Sequence, residues 1–219
     1  MTFSDMPADW QAAARAAATS WNEADSNLKI SGFNSVTDSQ REITPLDYNG
    51  NAMPWYPGGA FLKLAKCEIR ILLSSTIKDQ AMDLPGLDMP YSFQNSKLSI
   101  GSIVIINNRN FNWTTNDTTP SNSLDAQSII LHELGHALGL VHVKDVDAVM
   151  NGVELNHLYQ LLLGVQKRSL TDSDLQQLVN LYKSSSDDTV TNVFSPVKFI
   201  EQAIQDFSQF LFRFLSPQK

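Results

Sequence analysis

The sequence predicts an α+β domain. Three observations carry that expectation: an amphipathic, alanine-rich helix near the start, short isoleucine- and valine-rich runs in the middle, and two further helical patterns before residue 183. The chain has 219 residues, enough for one domain and an appendage. A hydrophobic content of 42% and a charged content of 18% exclude disordered and collagen-like classes. The sequence contains no apolar run of the roughly 18 residues a membrane span requires. A formal charge of −7 argues against a nucleic-acid partner, which needs a basic patch. One cysteine forbids an intramolecular disulfide, so the core or a metal must hold the fold. Met1 to Trp10 has neither the basic nor the apolar region of an export signal, which fits either a cytoplasmic protein or a chain that starts after its signal.

In chain order, Pro7 suits a first helical turn, and Trp10, Ala14, Ala17 and Trp21 then recur at spacings of 4, 3 and 4, one face of a helix. Leu28 to Phe33 opens a strand-like region, and Cys67 to Ser74 and Ile100 to Asn107 read as buried strands. Asn49 to Gly59 and Asp79 to Ser96 are dense in turn residues. A helix is expected from Ser123 as N-cap, with Asp125 in its first turn. Leu131, Leu134 and Leu138 form its buried face, and Gly139 stops it in a left-handed conformation. Thr171 caps the last helix of the body, Leu170 and Leu175 can staple across the cap, and Leu175, Leu178, Val179 and Tyr182 supply the stripe. The expected division is therefore a body over 1–182, a polar serine-rich linker over 183–195 and an amphipathic helix within 196–219. In that tail Val197, Ile200, Ile204, Phe207, Leu211 and Phe214 share a face, and six of the eleven phenylalanines lie between Phe194 and Phe214. Its charges nearly cancel, whereas an interfacial helix carries a basic face, so packing on the body is favoured over self-association or a membrane surface through 196–215.

The chemistry resides in residues 132–142, HELGHALGLVH. Four residues along a helix differ by about 40° in azimuth and about 6 Å in height, so His132 and His136 can aim at one ion. Gly139 lets the chain turn sharply and return His142 as a third ligand. Three neutral imidazoles leave a tetrahedral zinc one open position, the arrangement of a catalytic site. Zinc acidifies a bound water and polarises a carbonyl, and Glu133 beside the first ligand is the candidate general base and then acid. Together these groups account for peptide-bond hydrolysis. Met150, eight residues after His142, fits a methionine turn beneath the metal. Cys67 reads as a small buried hydrophobe in a strand. His157 and Tyr159 read as structural or surface residues, ahead of any substrate contact. Asn112 and Asn116 open glycosylation sequons, which matter only on a eukaryotic secretory route.

The zinc motif and the methionine turn, with the MPWYPGG segment and SIVIINNRNFNW before the motif, resemble the matrixin branch of the metzincin endopeptidases, in its short bacterial-type form. The resemblance covers about residues 7–182. It implies a twisted, mostly parallel five-stranded sheet with one antiparallel edge strand, three main helices, and an extended peptide substrate paired along that edge. The tail helix is additional to that pattern. The resemblance also implies one catalytic zinc ion held by His132, His136 and His142, catalysis by Glu133, support from Met150, a pocket wall over 151–168, and secretion or an extracytoplasmic site of action. The proline usual after the methionine turn is replaced by Asn151 and Gly152, and no histidine precedes His132 to form a structural zinc site. Structural calcium stays unassigned, and Asp79, Asp83 and Asp88 read as solvated loop carboxylates ahead of ligands. The alternative function is a non-catalytic, zinc-containing peptide-binding or scaffolding module that interacts through the tail helix. Glu133, useless for holding zinc, argues against it.

Overall fold

The computed structural model describes residues 1–4, 6–25, 28–36, 68–74, 84–92, 99–152 and 162–183. The elements are β1 (Thr2–Ser4), α1 (Ala8–Ala24), β2 (Asn34–Val36), β3 (Glu68–Ser74), β4 (Gly86–Ser92), β5 (Ser99–Asn107), β6 (Trp113–Thr114), β7 (Leu124–Asp125), α2 (Ala126–Ala137) and α3 (Asp172–Lys183). The molecule is α+β, with three helices and a mixed sheet among the described residues. Strand order is β2-β1-β3-β5-β4: the first four run parallel, and β4 pairs antiparallel with β5 at one end. The tail over 196–219, the linker over 183–195 after its first residue, Cys67, His157, Tyr159, Asp79, Asp83 and 153–161 of the pocket wall lie outside the described residues. Among the described residues no helix is long and apolar enough to cross a membrane.

Helices α1 and α2 share one core with the sheet. The register sets Ile71 beside Val104 and Leu73 beside Ile106. Ile71, Val104 and Ile106 face a core completed by Trp10, Ala14, Ala17 and Trp21 of α1 and by Ile130, Leu131 and Leu134 of α2. The stripe expected on α1 is therefore buried along its whole length. Small alanines let the two helices approach closely, and the Trp21 indole N–H donates to the Leu131 carbonyl at 2.9 Å, satisfying its one polar atom in the core.

Three boundaries differ from the sequence expectation. The strand expected over Leu28 to Phe33 begins later, at Asn34. The Asn22 carboxamide binds both backbone groups of Ile30, and the Met1 ammonium donates to Ser31 O, so this stretch is tied to the end of α1. Gly32, at φ 76°, then turns the chain into β2. The zinc-motif helix starts at Ala126 and not near Ser123. Asp125 is its N-cap, accepting from Ser128 N–H at 2.9 Å and Ser128 O–H at 2.6 Å, while residues 124–125 form a short parallel pair with β6. Arg168 grips the same Asp125 through two hydrogen bonds, of 3.0 and 2.6 Å. The turn-rich stretch over 79–96 contains β4. Asn107 N–H donates to Pro85 O, which fixes the alternation of paired residues and turns the backbone groups of Gly86, Asp88 and Pro90 outward, away from β5. Proline has no N–H to lose on that side, so a turn-like composition folds as an edge strand.

Candidate metal centre

Helix α2 carries His132 and His136 one turn apart, and its leucines bury the opposite side. The helix ends where expected: Gly139 sits at φ 94°, with its N–H donating to His136 O at 2.8 Å. The chain then reverses and delivers His142. The three Nε2 atoms form a triangle with sides of 3.0, 3.1 and 3.2 Å. A tetrahedral zinc with bonds of about 2.0–2.1 Å places its nitrogens about 3.3–3.4 Å apart, so this donor set fits that ion closely.

The tautomers agree with this fit. His132 Nδ1 lies 2.7 Å from Val149 O and His136 Nδ1 lies 3.0 Å from Leu140 O. A carbonyl can only accept, so each Nδ1 carries the proton and each Nε2 presents a lone pair to the centre. Burial lowers the His132 pKa to about 4 and holds His136 well below its ordinary value, with the neighbouring imidazoles acting in the same direction. All three rings belong to one group of residues able to hold a metal.

Glu133 points from α2 to the outward edge of β4. Its carboxylate accepts the outward N–H of Asp88 and fills the space beside Gly86, where a Cβ would come within 2.7 Å of Oε1. Burial, followed by the Asp88 carboxyl, pushes Glu133 well above the usual carboxylate range. Asp88 was expected to be a solvated loop residue. It is buried under α2, hydrogen-bonded through Oδ1 to Ser102, with Oδ2 lacking a hydrogen-bond partner, and burial raises its pKa to about 8. A buried carboxyl of this kind does not behave as a surface ligand for calcium.

Met150 is fully buried. A Cβ on Gly135 would meet its Sδ at 2.3 Å and the Trp21 ring at 3.0 Å, so the glycine inside α2 admits both side chains. Asp174 of α3 holds the Met150 segment from behind, accepting from Val149 N–H at 3.0 Å and Met150 N–H at 2.9 Å as well as from Thr171 N–H and O–H at 2.9 Å each. Thr171 thus caps α3 as expected, and its partner Asp174 reaches the centre too. Sequence reasoning passed over Asp174 and Gly135, and noted Gly152 only as a departure from the usual proline. A Cβ on Gly152 would lie 2.3 Å from the His142 Cβ, so the residue standing near the usual proline is one that leaves room for the third imidazole. The interior glycine of an otherwise strong helix was the one visible signal.

Among known families, the matrixin profile matches residues 67–183, from the start of β3 to the end of α3. The chain belongs to the matrixin family. A comparison with curated proteins found no match. The matched segment contains the complete histidine triad, and family and triad together mark this matrixin as a metallopeptidase of the zinc type.

Proposed function

We propose that this matrixin is a zinc endopeptidase in which His132, His136 and His142 hold the metal, Glu133 moves the proton and Met150 supports the site from below. The observation that carries the reading is the convergence of three Nε2 atoms beside a carboxylate lodged at the outward edge of β4. When bound, zinc supplies Lewis-acid polarisation of the scissile carbonyl and acidification of the attacking water.

The remaining work belongs to the chain. The Val149 and Leu140 carbonyls fix the tautomers of two imidazoles, and burial keeps those rings neutral, as ligation requires. Glu133 accepts a proton from the attacking water and returns it to the departing amine. The Asp88 N–H steadies its carboxylate and opposes the upward shift that burial imposes. The outward carbonyls of Gly86, Asp88 and Pro90 offer acceptors to an extended peptide, which supports a substrate lying along this edge. An exported site of action accords with the family.

The test is Glu133→Ala in the full chain, with zinc content measured beside cleavage of a diverse peptide library, with and without chelator. We expect one zinc per chain and a loss of activity of about 10²- to 10⁴-fold. Undiminished cleavage with zinc bound would remove Glu133 from the mechanism, and cleavage indifferent to chelation would remove the metal.

A further inference from the structure

His142 is the one ligand that no helix carries, and both of its chain neighbours have their backbone groups engaged. On the C-terminal side, Val143 N–H donates to Met150 O at 2.8 Å and Val143 O accepts from Gly152 N–H at 3.0 Å, a strand-like bridge to the methionine segment. On the N-terminal side stands a single side chain from α3. Gln177 Oε1 accepts from Val141 N–H at 3.1 Å, and its Nε2 donates to Val141 O at 2.9 Å. One carboxamide thus does for Val141 what a neighbouring strand would do. Val141 itself is 38% exposed, so its side chain supplies little anchorage. Gln177 lies three positions after Asp174, on the same side of α3, so one helix face grips the chain at Val149 and Met150 and again at Val141.

We infer that Gln177 is a positioning residue for zinc: its carboxamide clamps the backbone of Val141 and thereby holds His142 in the ligand triangle. The inference rests on the zinc reading above. Without the clamp, the segment after Gly139 gains freedom at Val141, and His142 must be ordered anew each time the triangle closes, so the third bond should break more often.

The experiment follows zinc release from the loaded full-length chain into excess chromophoric chelator well below the melting temperature. Parent, Gln177→Ala, Gln177→Met and Gln176→Ala are compared, together with amide hydrogen exchange at Val141. Methionine keeps the length and the apolar stem and removes both hydrogen bonds. Gln176, whose carboxamide donates to Asn180 on the same helix, controls for damage to α3. Release should quicken about tenfold in Gln177→Ala and in Gln177→Met, the lower end for partners that orient metal ligands, with faster exchange at Val141 and unchanged release in Gln176→Ala. If Gln177→Met releases zinc at the parental rate, the clamp is wrong, and the same holds if Gln176→Ala matches Gln177→Ala or if release quickens while Val141 exchange does not. A parent chain that holds no zinc overturns the underlying reading and the clamp with it, whereas loss of the clamp alone leaves the endopeptidase standing.

Discussion

His132 and His136 are helix-borne, and His142 is loop-borne. The first two are brought together by the pitch of α2, whose own hydrogen bonds and buried leucines fix their backbones before any ligand is considered. The third is brought in by contacts with distant parts of the chain: the Val143 bridge to the Met150 segment, the Gln177 carboxamide and the absence of a side chain at Gly152. Local periodicity preorganises two ligands at almost no tertiary cost. Placing one more enlists residues across some 35 positions. The centre should therefore fail in two ways, through loss of a donor on the rigid side and through loosening on the other.

The largest effect should come from His136→Ala, which removes a helix-borne donor: zinc affinity should fall by more than about a hundredfold while the circular-dichroism signature of the helices is retained. Asp174→Ala should come next. It strands Val149 N–H and Met150 N–H in a buried setting and uncaps α3, for about 3 kcal/mol of stability, read by urea denaturation. Because Val149 O orients His132, zinc release should quicken as well. Gly152→Ala acts on the loop-borne ligand alone: its methyl displaces the His142 ring, and zinc affinity measured by competition should drop about tenfold with the melting of α2 unaltered.

The smallest effect on zinc, and the only gain in stability, is expected from Asp88→Asn. The folded pKa of Asp88 is raised from 3.8 to about 8, so the folded chain holds this proton more tightly than the unfolded chain. Its contribution to stability is therefore most favourable below about pH 4 and is lost as the pH climbs towards 8. The amide never ionises, so the variant should melt higher than the parent at pH 8, by the equivalent of about 1–3 kcal/mol once a weaker bond to Ser102 is allowed for, and the advantage should disappear near pH 4. A melting difference that stays flat across this range would show that Asp88 is charged throughout.

The legibility of the sequence follows the same divide. His132, Glu133, His136 and Gly139 could be placed because helix geometry determines their relation, and His142 was found by its spacing from Gly139 although distant contacts hold it. The stripe of α1 was legible for the same reason, whereas of the four residues expected to line α3 only Leu178 is buried in the core among the described side chains. The start of α2 was not legible, since Ser123 and Asp125 are both good caps and Arg168, 43 residues away, engages Asp125. Strand β4 was hidden because Gly86, Asp88 and Pro90 have turn chemistry, and each is used for its position: Gly86 for Glu133, Asp88 under α2, Pro90 on the outer side. Asp174 went unread: its bonds to Thr171 are local, but its grip on residues 149–150 depends on the fold returning that segment to α3.

Pro90 also bears on the company the molecule keeps. An edge strand open along its full length invites another copy to add its own edge, and sheets grow in that way into aggregates. Here a newcomer meets a donor missing at Pro90, a donor at Asp88 already committed to Glu133, and a register shift between Tyr91 and Ser92. Acceptors outnumber available donors over this stretch, so a partner that insists on a regular ladder is poorly served. A short flexible peptide needs only a few of those bonds. The same irregularity that disguised β4 in the sequence makes its outward edge a poor seed for stacking.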